Sequence, residues 1–273
     1  MDYVKTQDGT KLYVKIWGTG RPVIMTHGWP LNADSWDDAA MAFAEAGFQA
    51  IAYDRRGFGR SSQPWSGYDY DTLADDLADV MEAVDAKDAA LFGFSMGGGE
   101  VARYMSRHGG KNVSKAALIA SVVPFMLKTA DNPLGTDQQV FAEMTAGMKK
   151  DRPHFFAEFF KSFFGAGLVS SPVSKEVLDW AQGMTLMAGL KPTLACAQAF
   201  ATTDFRPDLA AFNVPTLVIH GTADKTVPID AAGRAAAQGI RNARLIEYDG
   251  APHGLFASHK DRLTEDLLAF LKS

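Results

Sequence analysis

Short apolar stretches alternate with helical patterns along most of the chain, and this alternation limits the possible folds most strongly. The stretches that match buried strands are residues 22–26, 48–53, 89–94, 113–120, 216–220 and 244–248. The helical patterns that follow them are residues 34–46, 71–84, 96–107, 229–239 and 260–271. Asp71 and Thr72 are the capping candidates for helix 71–84. Strands that alternate with helices predict a mostly parallel sheet with helices on both faces.

The first residues follow a different pattern. Residues 3–7 and 11–17 alternate between apolar and polar side chains, and Asp8-Gly9 between them is a hairpin turn signal. Together with the later strands, this hairpin predicts an α/β fold built on an eight-stranded sheet.

The alternation stops between Ser121 and Asp208. This part holds helix-like pieces at residues 137–149, 153–164, 172–188 and 192–202, and phenylalanine is dense in it, as in HFFAEFFKSFF. We therefore predict an α/β core formed by residues 1–121 and 208–273 and a helical cap formed by residues 122–207. The cap is expected to close over one end of the core.

Composition narrows the class of protein. With 47% hydrophobic and 22% charged residues in 273, the chain reads as a soluble globular protein. A net charge of −5 argues against a nucleic-acid partner. Cys196 is the only cysteine, which rules out an intrachain disulfide and favours a reducing compartment. The sequence also lacks a signal-peptide pattern and an apolar stretch long enough to span a bilayer. We therefore expect a cytoplasmic protein without a membrane partner.

Four glycines surround one serine in GFSMGGG, residues 93–99, at the end of predicted strand 89–94. A phosphate-binding loop needs Lys and then Ser or Thr after its last glycine, but Glu100 follows Gly99. RGFGRSS lacks the third glycine and the following helix of a dinucleotide-binding turn. G-x-S-x-G between a strand and a helix is typical of a nucleophile elbow, a strained turn that exposes the hydroxyl of Ser95. Gly98 and Gly99 are expected to let the helix pack close to the sheet.

A serine nucleophile needs a base to take its proton and a third group to orient that base. His253, in DGAPHG, lies in a loop after a predicted strand, and Asp224 lies on the loop after strand 216–220. The order Ser95, Asp224, His253 is that of an α/β-hydrolase triad. Asp249 is interpreted as a turn residue, and Asp204 is kept as a weaker reserve. The other histidines are interpreted as structural, capping or solvated groups: His27, His108, His154, His220 and His259.

Acyl transfer also needs hydrogen-bond donors for the developing oxyanion. One predicted donor is the backbone N–H of Met96, the residue after the nucleophile. The other is expected in the loop HGWP, where Pro30 has no N–H and Trp29 is therefore the natural donor. His27 and Gly28 are interpreted as structural, with the imidazole tying the loop by hydrogen bonds.

The blocks HGWP, YDRRGFGRSSQPW, GFSMGGGEVARY, TDFRPDL, PTLVIHGTADKTVP and APHG resemble the α/β-hydrolase superfamily. Together they are similar to its cofactor-free (non-haem) haloperoxidase, arylesterase and perhydrolase group. The resemblance implies an α/β-hydrolase fold with Ser95 as nucleophile, His253 as base and Asp224 as the partner of that base. It also implies a small-molecule ester substrate, water or hydrogen peroxide as acyl acceptor, and no metal or cofactor. Many members of the group are homo-oligomers, and we carry that expectation over.

Several other functions use the same fold. Dehalogenases and epoxide hydrolases resemble it but use aspartate as nucleophile, where this chain has Ser95. A lactam, amide or carbon–carbon bond hydrolase with the same triad remains open. A non-catalytic ligand receptor would predict a missing triad residue or a blocked loop, and the sequence has neither.

Substrate positioning is predicted from two regions. Pro30 fixes its own φ and restricts Trp29, so we interpret it as aiming the Trp29 carbonyl at the distal OH of bound peroxide. The resemblance, more than the aromatic insertion, favours short acyl chains. Four bulky residues of the insertion form the predicted acyl pocket: Phe125, Phe159, Met184 and Phe200.

The arginines of YDRRGFGRSSQP are a second candidate for substrate binding. The stretch follows a predicted strand and contains two glycines, as a conformationally demanding turn would. We therefore expect Arg55, Arg56 and Arg60 to pair with nearby carboxylates and not with substrate.

Overall fold

The computed structural model describes residues 2–167 and 171–273. Within these ranges, eight strands form one sheet in the order β1-β2-β4-β3-β5-β6-β7-β8. The pairs β1–β2 and β2–β4 are antiparallel and all the others are parallel, which confirms the predicted mostly parallel sheet. The strands are Tyr3–Lys5 (β1), Lys11–Trp17 (β2), Arg21–Thr26 (β3), Phe48–Tyr53 (β4), Ala89–Phe94 (β5), Val113–Ile119 (β6), Thr216–Gly221 (β7) and Arg244–Tyr248 (β8).

Helices flank this sheet and fill the long connection between β6 and β7. The α-helices are Asp37–Glu45 (α1), Tyr70–Ala83 (α2), Met96–Arg107 (α3), Gln138–Phe163 (α4), Lys175–Leu186 (α5), Leu190–Thr202 (α6), Gly233–Gly239 (α7), Leu255–Ser258 (α8) and Lys260–Lys272 (α9). Among the helices that flank the sheet, α1 packs against α9 and α2 packs against α3. None of the described helices has the length and apolar character needed to cross a membrane.

Several helix boundaries differ from the predicted ones. The cap of α2 is Asp69, whose carboxylate accepts from the Thr72 N–H at 3.0 Å, and not Asp71 or Thr72. The helix predicted at 34–46 begins as a 3-10 helix, Ala33–Trp36, before α1. The helix predicted from residue 229 begins only at Gly233.

The long connection is helical, as predicted. The helices expected at 137–149 and 153–164 form α4, which breaks at Asp151 with φ −157° and ψ 87°. Pro153 removes a backbone donor there, and the Asp151 carboxylate caps the second half of α4 by accepting from the His154 N–H at 3.0 Å. α4 packs against α5 and α6 around buried phenylalanines. The domain boundaries at 121/122 and 207/208 stay a prediction.

Parallel pairing places the carboxyl ends of β3, β5, β7 and β8 at the same edge of the sheet. Open α/β sheets bind their ligands at this edge, because the loops that leave the strands meet there. The loops after these four strands carry Trp29, Ser95, Asp224 and His253. The topology therefore gathers residues that are far apart in the sequence.

Candidate active site

Ser95 lies on a sharp turn between β5 and α3, with φ 53°, a value that side-chain-bearing residues rarely adopt. A Cβ on Gly93 would lie 2.5 Å from the Gly98 Cα, and a Cβ on Gly97 would lie 2.4 Å from the Thr26 carbonyl oxygen. Both positions therefore require glycine, because the helix starts in contact with the strands. This is the geometry of a nucleophile elbow.

The two later glycines of the motif have different neighbours. A Cβ on Gly98 would lie 2.0 Å from the Ser121 Oγ at the end of β6, which agrees with the predicted close packing on the sheet. A Cβ on Gly99 would instead lie 2.5 Å from the Tyr70 ring of α2. The expectation that Gly99 also faces the sheet is wrong, because this position points to the neighbouring helix.

The structure brings the three predicted triad residues together. The His253 Nε2 lies 2.9 Å from the Ser95 Oγ, and the His253 Nδ1 lies 2.6 Å from the Asp224 Oδ2. The other oxygen of Asp224 accepts from the backbone N–H groups of Thr226 at 2.9 Å and Val227 at 2.8 Å. These contacts form a continuous hydrogen-bonded path from the serine hydroxyl to a fixed carboxylate.

Asp204, the reserve acid, and Asp249, interpreted as a turn residue, have other partners. The Asp204 carboxylate forms an ion pair with Arg206 at 2.6 Å. The Asp249 carboxylate accepts a hydrogen bond from the Thr222 hydroxyl at 3.3 Å. Asp224 is therefore the one of the three that contacts His253.

The carboxylate of Asp224 is buried and remains ionised. Burial raises the pKa of this group, but the charge of His253 and the hydrogen bonds from His220 and His253 together lower it well below its usual value. A fixed negative charge in this position is suited to stabilise an imidazolium on the neighbouring histidine.

Residues of the long connection hold His253 in place. The ring of Phe163, at the end of α4, lies edge-on to the imidazole at a centroid distance of 4.7 Å. The Gly254 N–H donates to the Phe163 carbonyl at 2.9 Å, and a Cβ on Gly254 would lie 2.3 Å from the Phe164 ring. These contacts to His253 were not predicted from the sequence. The one local sign of them is Gly254, directly after His253, where a side chain would collide with Phe164.

The predicted oxyanion donors have no competing acceptor in the described structure. Met96 is the first residue of α3, so its N–H has no acceptor within the helix. The Trp29 N–H donates to no other described group. The Trp29 indole donates to the Thr193 carbonyl of α6 at 3.0 Å, and the Trp29–Pro30 peptide bond is cis. The oxyanion role of both N–H groups stays a prediction.

A buried polar network links the loop before Trp29 to α3. The His27 Nε2 accepts from the Arg55 N–H at 3.0 Å, and the Arg55 guanidinium donates to the His27 carbonyl at 2.5 Å. The same guanidinium pairs with Glu100 of α3, which also accepts from the Tyr53 hydroxyl at 2.7 Å. This network confirms that His27 ties the loop, and it couples the two segments that carry the predicted oxyanion donors.

The imidazole of His27 is neutral in this network. Burial, and then the nearby charge of Arg55, hold its pKa well below the usual value. Because Nε2 accepts from a backbone N–H, Nδ1 carries the proton and donates to the Gly28 carbonyl at 3.0 Å.

The other two arginines of the turn are also paired with carboxylates, as expected. Arg56 contacts Asp76 at 2.6 Å, and Arg60 contacts Asp54 at 2.7 Å. None of the three arginines lines the cavity above Ser95.

A cavity of about 780 Å³ opens above Ser95 and is bounded mainly by α4. Of the predicted acyl pocket, Phe159 and Phe200 line it, but Phe125 and Met184 do not. Phe125 instead lies under the Arg206 guanidinium, 5.1 Å from it, and Met184 is buried in the core of the cap. Those two expectations are wrong.

Further lining residues were not predicted. The cavity wall gains apolar surface from Val122, Met126, Phe141, Met144 and Phe155. It gains polar groups from Lys150, His154, Glu158 and Lys225. His154, interpreted from the sequence as a solvated or capping residue, is one of these lining groups.

Comparison with known proteins identifies the family. A family model for the α/β-hydrolase fold matches residues 21–260. The chain therefore belongs to the α/β-hydrolase family.

Its relatives narrow the group. The chain is 42% identical over 273 residues to a non-heme chloroperoxidase of Kitasatospora aureofaciens, with 99% of each chain covered. It is 41% identical over 278 residues to a bifunctional esterase/perhydrolase of Acinetobacter calcoaceticus, with 100% of each covered. The crystal structure of a bromoperoxidase from Bacillus anthracis superimposes with a TM-score of 0.96 at 43% identity, with 99% of each chain covered. These findings confirm the resemblance to the non-haem haloperoxidase and perhydrolase group.

The network beneath the oxyanion loop generates a testable prediction. Glu100→Gln leaves the buried Arg55 guanidinium without its counter-ion, and we expect a loss of about 3–5 kcal/mol in the free energy of unfolding. Urea denaturation followed by circular dichroism measures this loss.

Glu176→Gln, at an exposed position in the first turn of α5, is the control and is expected to shift the urea midpoint much less, because a surface charge there contributes only about 0.3–1 kcal/mol. Equal midpoints for the two variants would contradict a stabilising role for the Arg55–Glu100 pair.

Proposed function

We propose that this protein is a serine hydrolase that cleaves small carboxylic esters through an acyl-enzyme on Ser95. Hydrogen peroxide replaces water as a second acyl acceptor and gives a peracid. The observation that carries the proposal is the pair of hydrogen bonds, 2.9 Å and 2.6 Å, that join the Ser95 Oγ through His253 to Asp224. The names of the relatives, a chloroperoxidase and an esterase/perhydrolase, support both acceptors.

The first half of the reaction forms the acyl-enzyme. His253 Nε2 removes the proton of Ser95 as Oγ attacks the ester carbonyl, and the N–H groups of Trp29 and Met96 stabilise the oxyanion. The intermediate collapses when the alkoxide leaves with the proton of the His253 imidazolium. Asp224 stays ionised throughout and stabilises that imidazolium.

The second half uses the same groups in reverse. His253 removes a proton from water or hydrogen peroxide, whose oxygen attacks the acyl carbonyl. Ser95 Oγ leaves and regains its proton from His253. The product is the carboxylic acid with water and the peracid with peroxide.

The cavity supports an ester with a bulky apolar part. Its volume of about 780 Å³ and its aromatic walls, including Phe159 and Phe200, suit an acyl or alcohol group larger than acetate. The preference for short acyl chains stays a prediction. Initial rates on p-nitrophenyl esters from acetate to decanoate measure it.

The Trp29 carbonyl is the proposed acceptor for the distal OH of peroxide. Among the described residues no N–H or O–H group donates to this carbonyl, and Trp29 lines the cavity that holds Ser95. Water has no second OH at that distance, so the hydrogen bond favours peroxide alone.

Removal of the nucleophile tests the proposal directly. Ser95→Ala should leave the fold intact and lower kcat on p-nitrophenyl acetate by about 10⁴-fold or more, because no acyl-enzyme forms. A folded variant that keeps most of its turnover would end the acyl-enzyme proposal.

The assignment of the acid is tested by three asparagine variants. Asp224→Asn favours the wrong imidazole tautomer of His253, so kcat should fall by about 10⁴-fold. Asp204→Asn and Asp249→Asn are the matched controls and should stay near the unsubstituted rate. A larger loss in either control would reassign the orienting acid.

The peroxide role is tested by Pro30→Ala on one acetate ester with and without hydrogen peroxide. We expect the ratio of perhydrolysis to hydrolysis to fall, by up to about tenfold, because the Trp29 carbonyl is no longer held toward the acceptor. If both rates fall in proportion, Pro30 only stiffens the loop and the carbonyl mechanism is wrong.

A further inference from the structure

His220, the second-last residue of β7, lies directly behind the proposed triad. Its side chain is fully buried. The Nε2 is 2.9 Å from the Val227 carbonyl oxygen and 3.3 Å from the Asp224 Oδ2, the oxygen that also contacts His253. Two imidazoles therefore meet one carboxylate oxygen.

The partners of His220 define its tautomer. A backbone carbonyl only accepts hydrogen bonds, so the Nε2 of His220 carries a proton and donates it to Val227. The same Nε2 lies 3.3 Å from the Asp224 Oδ2, where its N–H adds a longer, electrostatic contact beside the hydrogen bond to Val227. The Nδ1 has no hydrogen-bond partner among the described residues. It faces α7, where a Cβ on Gly233 would lie 2.7 Å from it.

The neighbouring charged groups are otherwise engaged. Glu247 lies opposite His220 in the β7–β8 register, but its carboxylate pairs with Arg234 at 2.6 Å. The interaction of His220 with a carboxylate is therefore directed at Asp224.

The hydrogen bond from His220 to Val227 joins the two ends of the loop that carries Asp224. The imidazole joins the end of β7 to Val227, while Asp224 in between accepts from the N–H groups of Thr226 and Val227 through its other oxygen. Removing the imidazole takes away the contact to Oδ2 and the link between β7 and Val227, so that the Asp224 carboxylate is held only by the Thr226 and Val227 N–H groups and by His253.

We propose that His220 is a positioning residue for the ester reaction: its Nε2–H holds Asp224 so that Oδ2 faces the Nδ1 of His253. This inference rests on the proposed triad. It assigns to His220 an action through Asp224, with no contact to substrate.

Paired substitutions separate the donor from the shape of the ring. His220→Gln keeps an N–H donor, since its amide nitrogen is the same number of bonds from Cβ as the Nε2 of histidine. His220→Leu keeps most of the volume and removes the donor. We expect kcat to fall by about ten- to a hundredfold in the leucine variant, with KM little changed, and to recover in the glutamine variant.

A proton NMR signal reports the triad without turnover. The His253 Nδ1–H in its short bond to Asp224 is strongly deshielded and gives a far-downfield resonance in water. We expect this resonance to persist in the unsubstituted protein and in His220→Gln and to be lost or broadened in His220→Leu. If leucine prevents folding, His220→Asn replaces it, because its amide is one bond too short to reach Asp224.

Thr216→Val is the matched control. Thr216 is buried on the same strand and donates to the Val214 carbonyl at 3.0 Å, away from the triad. It should lower the melting temperature without changing kcat or the downfield signal.

Three results would overturn the inference: an unchanged kcat in folded His220→Leu, equal losses in the leucine and glutamine variants, or a downfield signal that survives in the leucine variant. Ser95→Ala, assayed in parallel, keeps the two proposals distinct. Retained activity in Ser95→Ala would refute the proposed function itself, whereas the results at His220 test only its positioning role.

Discussion

At Ser95 the chain passes from β5 into α3 with φ 53°, and the start of α3 presses against Thr26 of β3 and Ser121 beyond β6. The contacts leave no room for a Cβ at Gly93 or Gly97. This one close approach constrains the turn that carries the hydroxyl of Ser95. Met96 begins α3 directly after Ser95, so the proposed nucleophile and one proposed oxyanion donor come from a single turn.

The helices of the long connection between β6 and β7 contact residues of the candidate site directly. Its helix α6 accepts the indole N–H of Trp29 at Thr193, and Phe163 of α4 packs against His253. Both contacts fix groups assigned to the chemistry. Substitutions in these helices should therefore alter the catalytic geometry as well as the choice of substrate.

The sheet, the chain order of the triad and the elbow were predictable, because strand periodicity and glycine spacing are local signals. The pocket was not. The four residues predicted to line it share the same apolar character: Phe125, Phe159, Met184 and Phe200. Which of them reach the cavity depends on how the helices of the long connection pack. His220 was interpreted as a packing residue because its relation to Asp224 exists only once the loop after β7 has folded back.

Two buried carboxylates, Glu100 and Asp224, have pKa values shifted in opposite directions. Burial raises the pKa of Glu100, against the opposing effects of the Arg55 charge and the Tyr53 hydroxyl. Burial also raises the pKa of Asp224, but the charge of His253 and the imidazole hydrogen bonds from both sides reverse the effect. Glu100 is one half of a structural pair whose charge is matched within the network. Asp224 is held ionised by donors on each of its oxygens, and in the proposed mechanism its negative charge stabilises the imidazolium that forms on His253.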